Sequence, residues 1–318
     1  MKARIVFVVA VAVAVVGGLV AAPRRYVVDG VSMGPSLLPG DVVGTRWLAV
    51  LDHWRPPGRF ERWIVTLPDG STGLKRVVGL PGETVEFVAG DLVVAGRAVL
   101  KSPRAVAEMG SRLEGQVVEG LSWSWAPVTV LDDAPFAVGE VSRLLLPVRD
   151  VGFAAEVVVT AAATPVPVRA VAGPLTVRWR LHAPGRYAVV AGRLDGHAVA
   201  VAWPLADGRG SGEPDRHCLP PLVPEAWDVA RPWPEATVDA AAPSLALAVG
   251  EADGAAATIE RVTLWRDGLL RPTADGVARW QVGEREVFLL GDFPSGSRDS
   301  RQFGPFAHTA LRHRVGPR

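Results

Sequence analysis

From Tyr26 onward the chain consists of short valine-rich runs broken by Gly or Pro about every eight to twelve residues, a texture that specifies strands and turns. Thirty-four glycines and 27 prolines supply the breaks, and no long apolar stretch at helical spacing competes with them. "TVEFVAGDLVVAGRAVL", residues 84–100, reads as a two-stranded hairpin turning at Ala89-Gly90-Asp91. In "LTVRWRL" Val177, Trp179 and Leu181 fall on one face, and Thr176, Arg178 and Arg180 on the other. "YAVVAGRLDGHAVAVAW" predicts a hairpin around Asp195-Gly196, and "SLALAVGEADGAAATIERVTLW" repeats the plan around Asp253-Gly254. Half-buried strands at this spacing predict a β-sandwich over residues 102–283. No repeat of fixed period is present.

One segment departs from this texture. Residues 5–22, "IVFVVAVAVAVVGGLVAA", carry no charge, and as a helix they reach roughly 27 Å at about 1.5 Å per residue. That nearly matches a hydrocarbon core of about 30 Å, so residues 1–25 are expected to form a membrane anchor. Lys2 and Arg4 precede the run and Arg24 and Arg25 follow it, so the positive-inside rule favours a cytoplasmic N-terminus only weakly. A cleaved export signal has the same charge pattern, although Pro23 sits badly after a cleavage point. Either reading places the remainder outside the cytoplasm.

Composition excludes several classes. Lys plus Arg total 34 against 33 acids, a net charge of +1, so no field attracts nucleic acid. The single cysteine, Cys218, forms no intrachain disulfide and argues against a closed zinc site. His217-Cys218 reads as an ordinary loop pair and Asp132-Asp133 as turn carboxylates rather than a calcium site. No Gly-rich phosphate loop occurs, and neither a cofactor nor a metal is expected.

Chemistry concentrates in three blocks. They are "SMGPSL" with "PGDVV" (residues 32–37 and 39–43), "LKRVVGLPGE" (74–83) and "FLLGDFPSGSRDSRQFGPF" (288–306). A serine nucleophile needs a base, since a free hydroxyl barely ionises near neutral pH. None of the six histidines, at 53, 182, 197, 217, 308 and 313, lies in a motif that pairs with Ser32. Lys75, read as opening a strand beside Leu74, Val77 and Val78, is a candidate, because burial lowers a lysine pKa.

These blocks, in this order, resemble those of the type I signal peptidases, membrane-bound Ser-Lys endopeptidases that remove signal peptides from exported proteins. The resemblance covers residues 26–100 and 284–315. It implies that Ser32 is the nucleophile and Lys75 the general base, and that Ser297 hydrogen-bonds the lysine. Asp299 and Arg301 become structural supports, with Met33 and Gly30 flanking the nucleophile. The implied fold is mainly β: an N-terminal transmembrane helix, then a signal-peptidase-like β catalytic core (26–101 and 284–318) interrupted by a large β-sandwich-like insertion (102–283). Preproteins with signal peptides and the lipid bilayer are the implied partners, with an unknown ligand left open for the insertion.

The implied location is the cytoplasmic membrane, single-pass, with the catalytic part on the extracytoplasmic side. Trp47, Trp54 and Trp63 are candidates for the lipid interface or, equally, for a β core. Departures from the family pattern are Phe293 where Asn is usual, the Pro-Ser-Gly spacer after it, and Gly30 where some members place a serine that helps bind the oxyanion. Gly30 is also expected to permit backbone that a β-carbon forbids. The size of the insertion and Phe293-Pro294 motivate an alternative, a weakly active or inactive scaffold carrying an extracytoplasmic binding module.

Overall fold

The computed structural model describes residues 22–45, 52, 54–126, 129–132, 146–160, 165–205, 219–220, 223–233, 243–250, 257–268, 270–271 and 276–316. Among them no helix is long and apolar enough to cross a membrane. The run at 5–22 lies outside the described residues except for Ala22, as do Trp47, Asp133, the 217–218 pair and the 253–254 turn. The chain is mainly β and divides into two compact units, residues 1–86 with 272–318, and 87–271.

In the first unit, five antiparallel strands lie in the order Phe306–Ala307, Glu286–Leu290, Thr72–Gly79, Arg62–Thr66 and Leu311–Arg314. Trp63, Val65, Val77, Val287, Leu289, Phe306 and Leu311 close over this sheet as one core. Trp63 is fully buried there and so does not face lipid, whereas Trp54 is 72% exposed. Lys75 does not open its strand, as the sequence reading has it, but sits in the middle of Thr72–Gly79, opposite Trp63. At the strand's last residue, Gly79, a β-carbon would meet Val85 Cγ2 at 2.5 Å and Phe288 Cβ at 2.7 Å, so the packing there requires glycine.

A separate two-stranded ribbon, Arg25–Val27 with Val42–Gly44, carries the loop that contains Ser32. Backbone bonds from Val28 N to Asp41 O and from Gly40 N to Val28 O, both 2.8 Å, close the base of that loop. Met33 and Leu37 point inward, packed with Val28, Val43, Ile64 and Val315. Burying side chains of this size contributes roughly 1.5–3 kcal/mol each, and here it fixes a loop that has no ladder of its own.

The second unit is a sandwich. Its larger sheet runs Val229–Pro232, His197–Pro204, Gly185–Leu194, Val151–Val159, Ala257–Arg266, Ser111–Gly120; the smaller runs Leu175–Leu181, Val166–Ala172, Leu245–Val249, Ser122–Trp125. Alternate residues of both, among them Phe153, Val157, Val168, Ala170, Val189 and Leu247, share one core. The alternation in 175–181 is as expected, with Thr176, Arg178 and Arg180 exposed. Asp195 and Gly196 both have positive φ, 46° and 71°, as a type I′ hairpin turn requires.

Three expectations need correction. Leu245–Val249 and Ala257–Arg266 are not a hairpin: they belong to different sheets, and each sends its alternate apolar residues into the shared core from its own side. Residues 84–100 form three short strands rather than two, because Ala95 and Gly96 take positive φ and make a second turn. A seven-residue helix, Pro103–Met109, was not foreseen. Ser102 caps it, its Oγ accepting from Ala105 N at 3.2 Å, and Val106 packs on the outer face of the larger sheet with Ala154, Val190 and Trp265.

Candidate active site

The first unit brings the three blocks together. Lys75 Nζ donates to Ser32 Oγ at 3.2 Å. The lysine is 4% exposed, and burial pushes its pKa below the ordinary 10.5; Asp299 and Asp292 oppose that shift and Arg301 adds to it. Desolvation dominates, so the amine's neutral form is favoured relative to water.

The third block is locked to the first by backbone contact. Phe293 N donates to Ser32 O at 3.0 Å. Gly291 lies so close that a β-carbon there would stand 2.3 Å from Ser32 O and 2.4 Å from Ser297 Oγ. Only hydrogen fits. Gly291→Ala should therefore displace both serines and lower turnover by about a hundredfold or more, as a misplacement near 1 Å does elsewhere. Steady-state kinetics on a synthetic peptide would measure the loss, and near-normal turnover would contradict this packing.

"SRDSRQF" folds as it does because Asp299 caps the short helix Ser300–Phe303. Its carboxylate accepts from Arg301 N at 3.2 Å, while Gln302 Oε1 accepts from Asp299 N at 2.9 Å, a reciprocal capping box. Asp299 is fully buried; Oδ2 also accepts from Gly291 N at 3.1 Å, and Oδ1 pairs with Arg301 Nε at 2.9 Å. Arg301 reaches on to Pro294 O and Ser297 O. Ser300 Oγ accepts from Leu289 N at 2.8 Å, tying the helix to the sheet.

Two expectations differ from what is observed. Ser297 Oγ is buried beside Gly291, but it has no hydrogen-bond partner among the described residues, Lys75 included. Gly30 has no positive φ, and a β-carbon there would meet nothing within 4 Å, so its backbone does not require glycine. Met33 is 1% exposed and acts as a packing anchor beside Ser32.

Sequence reasoning gave no role to Arg76, Asp292 and Ser36, which form the polar floor of the site. Arg76 Nε and Nη2 grip Asp292 Oδ1 and Oδ2, each at 2.6 Å, with both side chains 1% exposed. Arg76 Nη1 donates to Phe60 O at 2.7 Å. Ser36 Oγ is bonded to Asp292 Oδ2 and lies 2.7 Å from Met33 O. Each residue falls inside one of the three blocks, and that was the available signal. Around the serine loop Val27, Val31, Leu38 and Val42 are exposed apolar residues, with Val27 and Val42 paired across the ribbon. Among the described residues, the carboxylate cluster with metal-ligand spacing lies in the other unit.

A buried lysine on the central strand of the sheet is thus bonded to a loop serine. Residues 1–140 match the family described as "Signal peptidase, peptidase S26". Over 120 residues the chain is 30% identical to Signal peptidase I S of Bacillus subtilis (strain 168), covering 37% of this chain and 61% of that protein. It is 31% identical over 119 residues to Signal peptidase I of Bacillus licheniformis, covering 36% and 60%. Signal peptidase I V of Bacillus subtilis (strain 168) is 33% identical over 94 residues, covering 28% and 54%. The chain thus spans about three-fifths or less of the relatives it matches, and the resemblance to the type I signal peptidase family is borne out over that region.

Proposed function

We propose that the chain is a membrane-anchored serine endopeptidase that cleaves signal peptides from exported preproteins. The observation that carries this reading is the dehydrated amine of Lys75, 3.2 Å from Ser32 Oγ. Neutral Lys75 takes the proton of Ser32 as Oγ attacks the scissile carbonyl carbon. The tetrahedral oxyanion is held by the backbone N–H of Ser32. On collapse the C–N bond breaks and the leaving amine takes the proton from Lys75, leaving an acyl-enzyme on Ser32. Water then attacks the ester, giving its proton to Lys75; the C–O bond to Ser32 breaks, and the serine recovers the proton.

The Arg76–Asp292 pair holds Ser36 and with it the serine turn. Asp299 and Arg301 hold the chain at Gly291 and Ser297. Residues 1–25 form the anchor, residues 26–101 and 284–318 the catalytic core and 102–283 an inserted module outside the cytoplasm. The exposed valines beside Ser32 suit a substrate that emerges from lipid. Processing of a preprotein in detergent by wild type, and its loss in Ser32→Ala, tests the reading; an inactive wild type would favour the scaffold alternative, which the unbonded Ser297 Oγ supports.

Open space at Gly30 gives a gain-of-function test. Gly30→Ser places a hydroxyl two residues before the nucleophile without a clash. An added oxyanion donor should raise kcat, by at most the 10²–10³-fold that losing such a donor costs elsewhere. Single-turnover cleavage measures it, and an unchanged rate would mean that the new hydroxyl does not reach the oxyanion.

A further inference from the structure

The outer face of the smaller sheet in the 87–271 unit carries three arginines and, among the described residues, no acid. Along Val166–Ala172 and Leu175–Leu181 side chains alternate. Val168, Ala170, Val177 and Trp179 turn towards the core, while Arg169, Arg178 and Arg180 stand exposed on the other side. Arg169 lies directly opposite Arg178 across the two strands, and Arg180 is two residues further along. Opposed β-carbons are about 4.5–5.5 Å apart and diagonal neighbours about 7–8 Å, so the three side chains crowd one part of the sheet.

Like charges opposite one another repel, and nothing in the unit offsets them. None of the three forms an ion pair or a side-chain hydrogen bond among the described residues. The larger sheet handles its arginines differently. There Arg186 pairs with Glu156 and, at 3.0 Å, with Glu260, and Arg261 stands 3.7 Å from Glu156. Charge is neutralised within the chain on one side of the sandwich and left bare on the other.

Beside the arginines the face is flat. Arg178, Arg169, Ala248 and Ser122 follow one another in register across the four strands, and Ala246 and Ser124 continue the neighbouring row. With alanines and serines around them, the guanidinium groups project furthest. Such a face fits a flat anionic partner, and a guanidinium grips phosphate oxygens through two parallel N–H bonds.

We infer that this face rests on anionic phospholipid headgroups and so orients the inserted unit on the bilayer; the inference rests on residues 1–25 being the anchor proposed above. Each arginine near an anionic leaflet strengthens attraction about fivefold, so three together give about a hundredfold. That is too little to draw a protein out of solution. It is enough to bias a unit already confined at a bilayer, where the second contact is intramolecular. A free anionic polymer would have to be captured without that help, which favours lipid as the occupant.

The test uses the full chain in nanodiscs of phosphatidylcholine, alone or with an equal part of phosphatidylglycerol. Cys218→Ser removes the single native thiol. Ser124→Cys then places a thiol on the arginine face, and a second variant, Thr258→Cys, places one on the outer face of the larger sheet. At low salt, anionic lipid should slow maleimide labelling of Ser124→Cys about tenfold or more and leave Thr258→Cys unchanged. Arg169→Gln with Arg178→Gln and Arg180→Gln should abolish the slowing, and so should NaCl near 1 M, where screening is complete within about 3 Å. Equal rates in the two discs, equal slowing at both thiols, or slowing that survives the triple variant would overturn the inference. So would polyphosphate that slows Ser124→Cys in neutral discs as much as anionic lipid does, which would assign the face to a soluble polyanion. A chain that fails to co-elute with neutral discs would overturn the anchor and this inference with it, whereas equal rates in a chain that does co-elute overturn this inference alone.

Discussion

Lys75→Met should lower kcat/KM for a signal-peptide substrate by about 10³-fold or more while leaving the protein folded. A positioned general base is worth roughly 10²–10⁴-fold, and in the proposed mechanism the same amine also protonates the leaving group. Methionine keeps most of the aliphatic bulk opposite Trp63 and removes the amine bonded to Ser32 Oγ. Ser32→Ala should cause a loss at least as large, and the double variant little more, because the two act as a unit. Retained turnover in either single variant would refute the dyad.

Stability gives the same substitution a second readout. Burial depresses the Lys75 pKa, so the folded state binds its proton less tightly than the unfolded chain does. Wild type should gain stability as pH rises from the depressed pKa towards the ordinary 10.5, and Lys75→Met should lack that gain. In the acid part of this window the methionine variant should unfold later than wild type.

The second large effect concerns the floor of the site. Arg76→Met leaves Asp292 as a buried carboxylate without its bidentate partner and should cost about 3–5 kcal/mol in urea unfolding. Replacing both, as Arg76→Met with Asp292→Leu, should recover much of that stability, since two desolvated charges are then removed together. Activity should not return, because Ser36 loses its acceptor and the serine turn its tie to the third block. A double variant as active as wild type would show that the pair merely fills space.

Much of this was legible in the sequence because strands and turns are local. Alternation in 175–181 and the Asp-Gly turn at 195–196 can be read from neighbours alone. The crossing of 245–249 and 257–266 between sheets was not, since periodicity reports which face is buried and not which sheet receives the strand. The short helix at 103–109 owes its place to a Ser cap and to packing on Trp265 rather than to a long apolar stripe.

At the candidate site, motif order led to Ser32, Lys75 and the third block, which the structure brings together. Arg76 and Asp292 were hidden because 216 positions separate partners whose pairing only the sheet creates. Gly291 makes the opposite point. Its necessity is steric and appears only once Ser32 O and Ser297 Oγ are placed beside it.

The central claim is that Lys75 is a poor proton acceptor by lysine standards, and it can be measured directly. The chain has three lysines, Lys2, Lys75 and Lys101, so ¹³C-lysine NMR resolves few side chains, and Lys75→Met assigns the one of interest. The Lys75 signal should titrate below 10.5, while Lys101 stays charged beyond that value. A Lys75 signal that titrates at or above the ordinary lysine value would contradict the account.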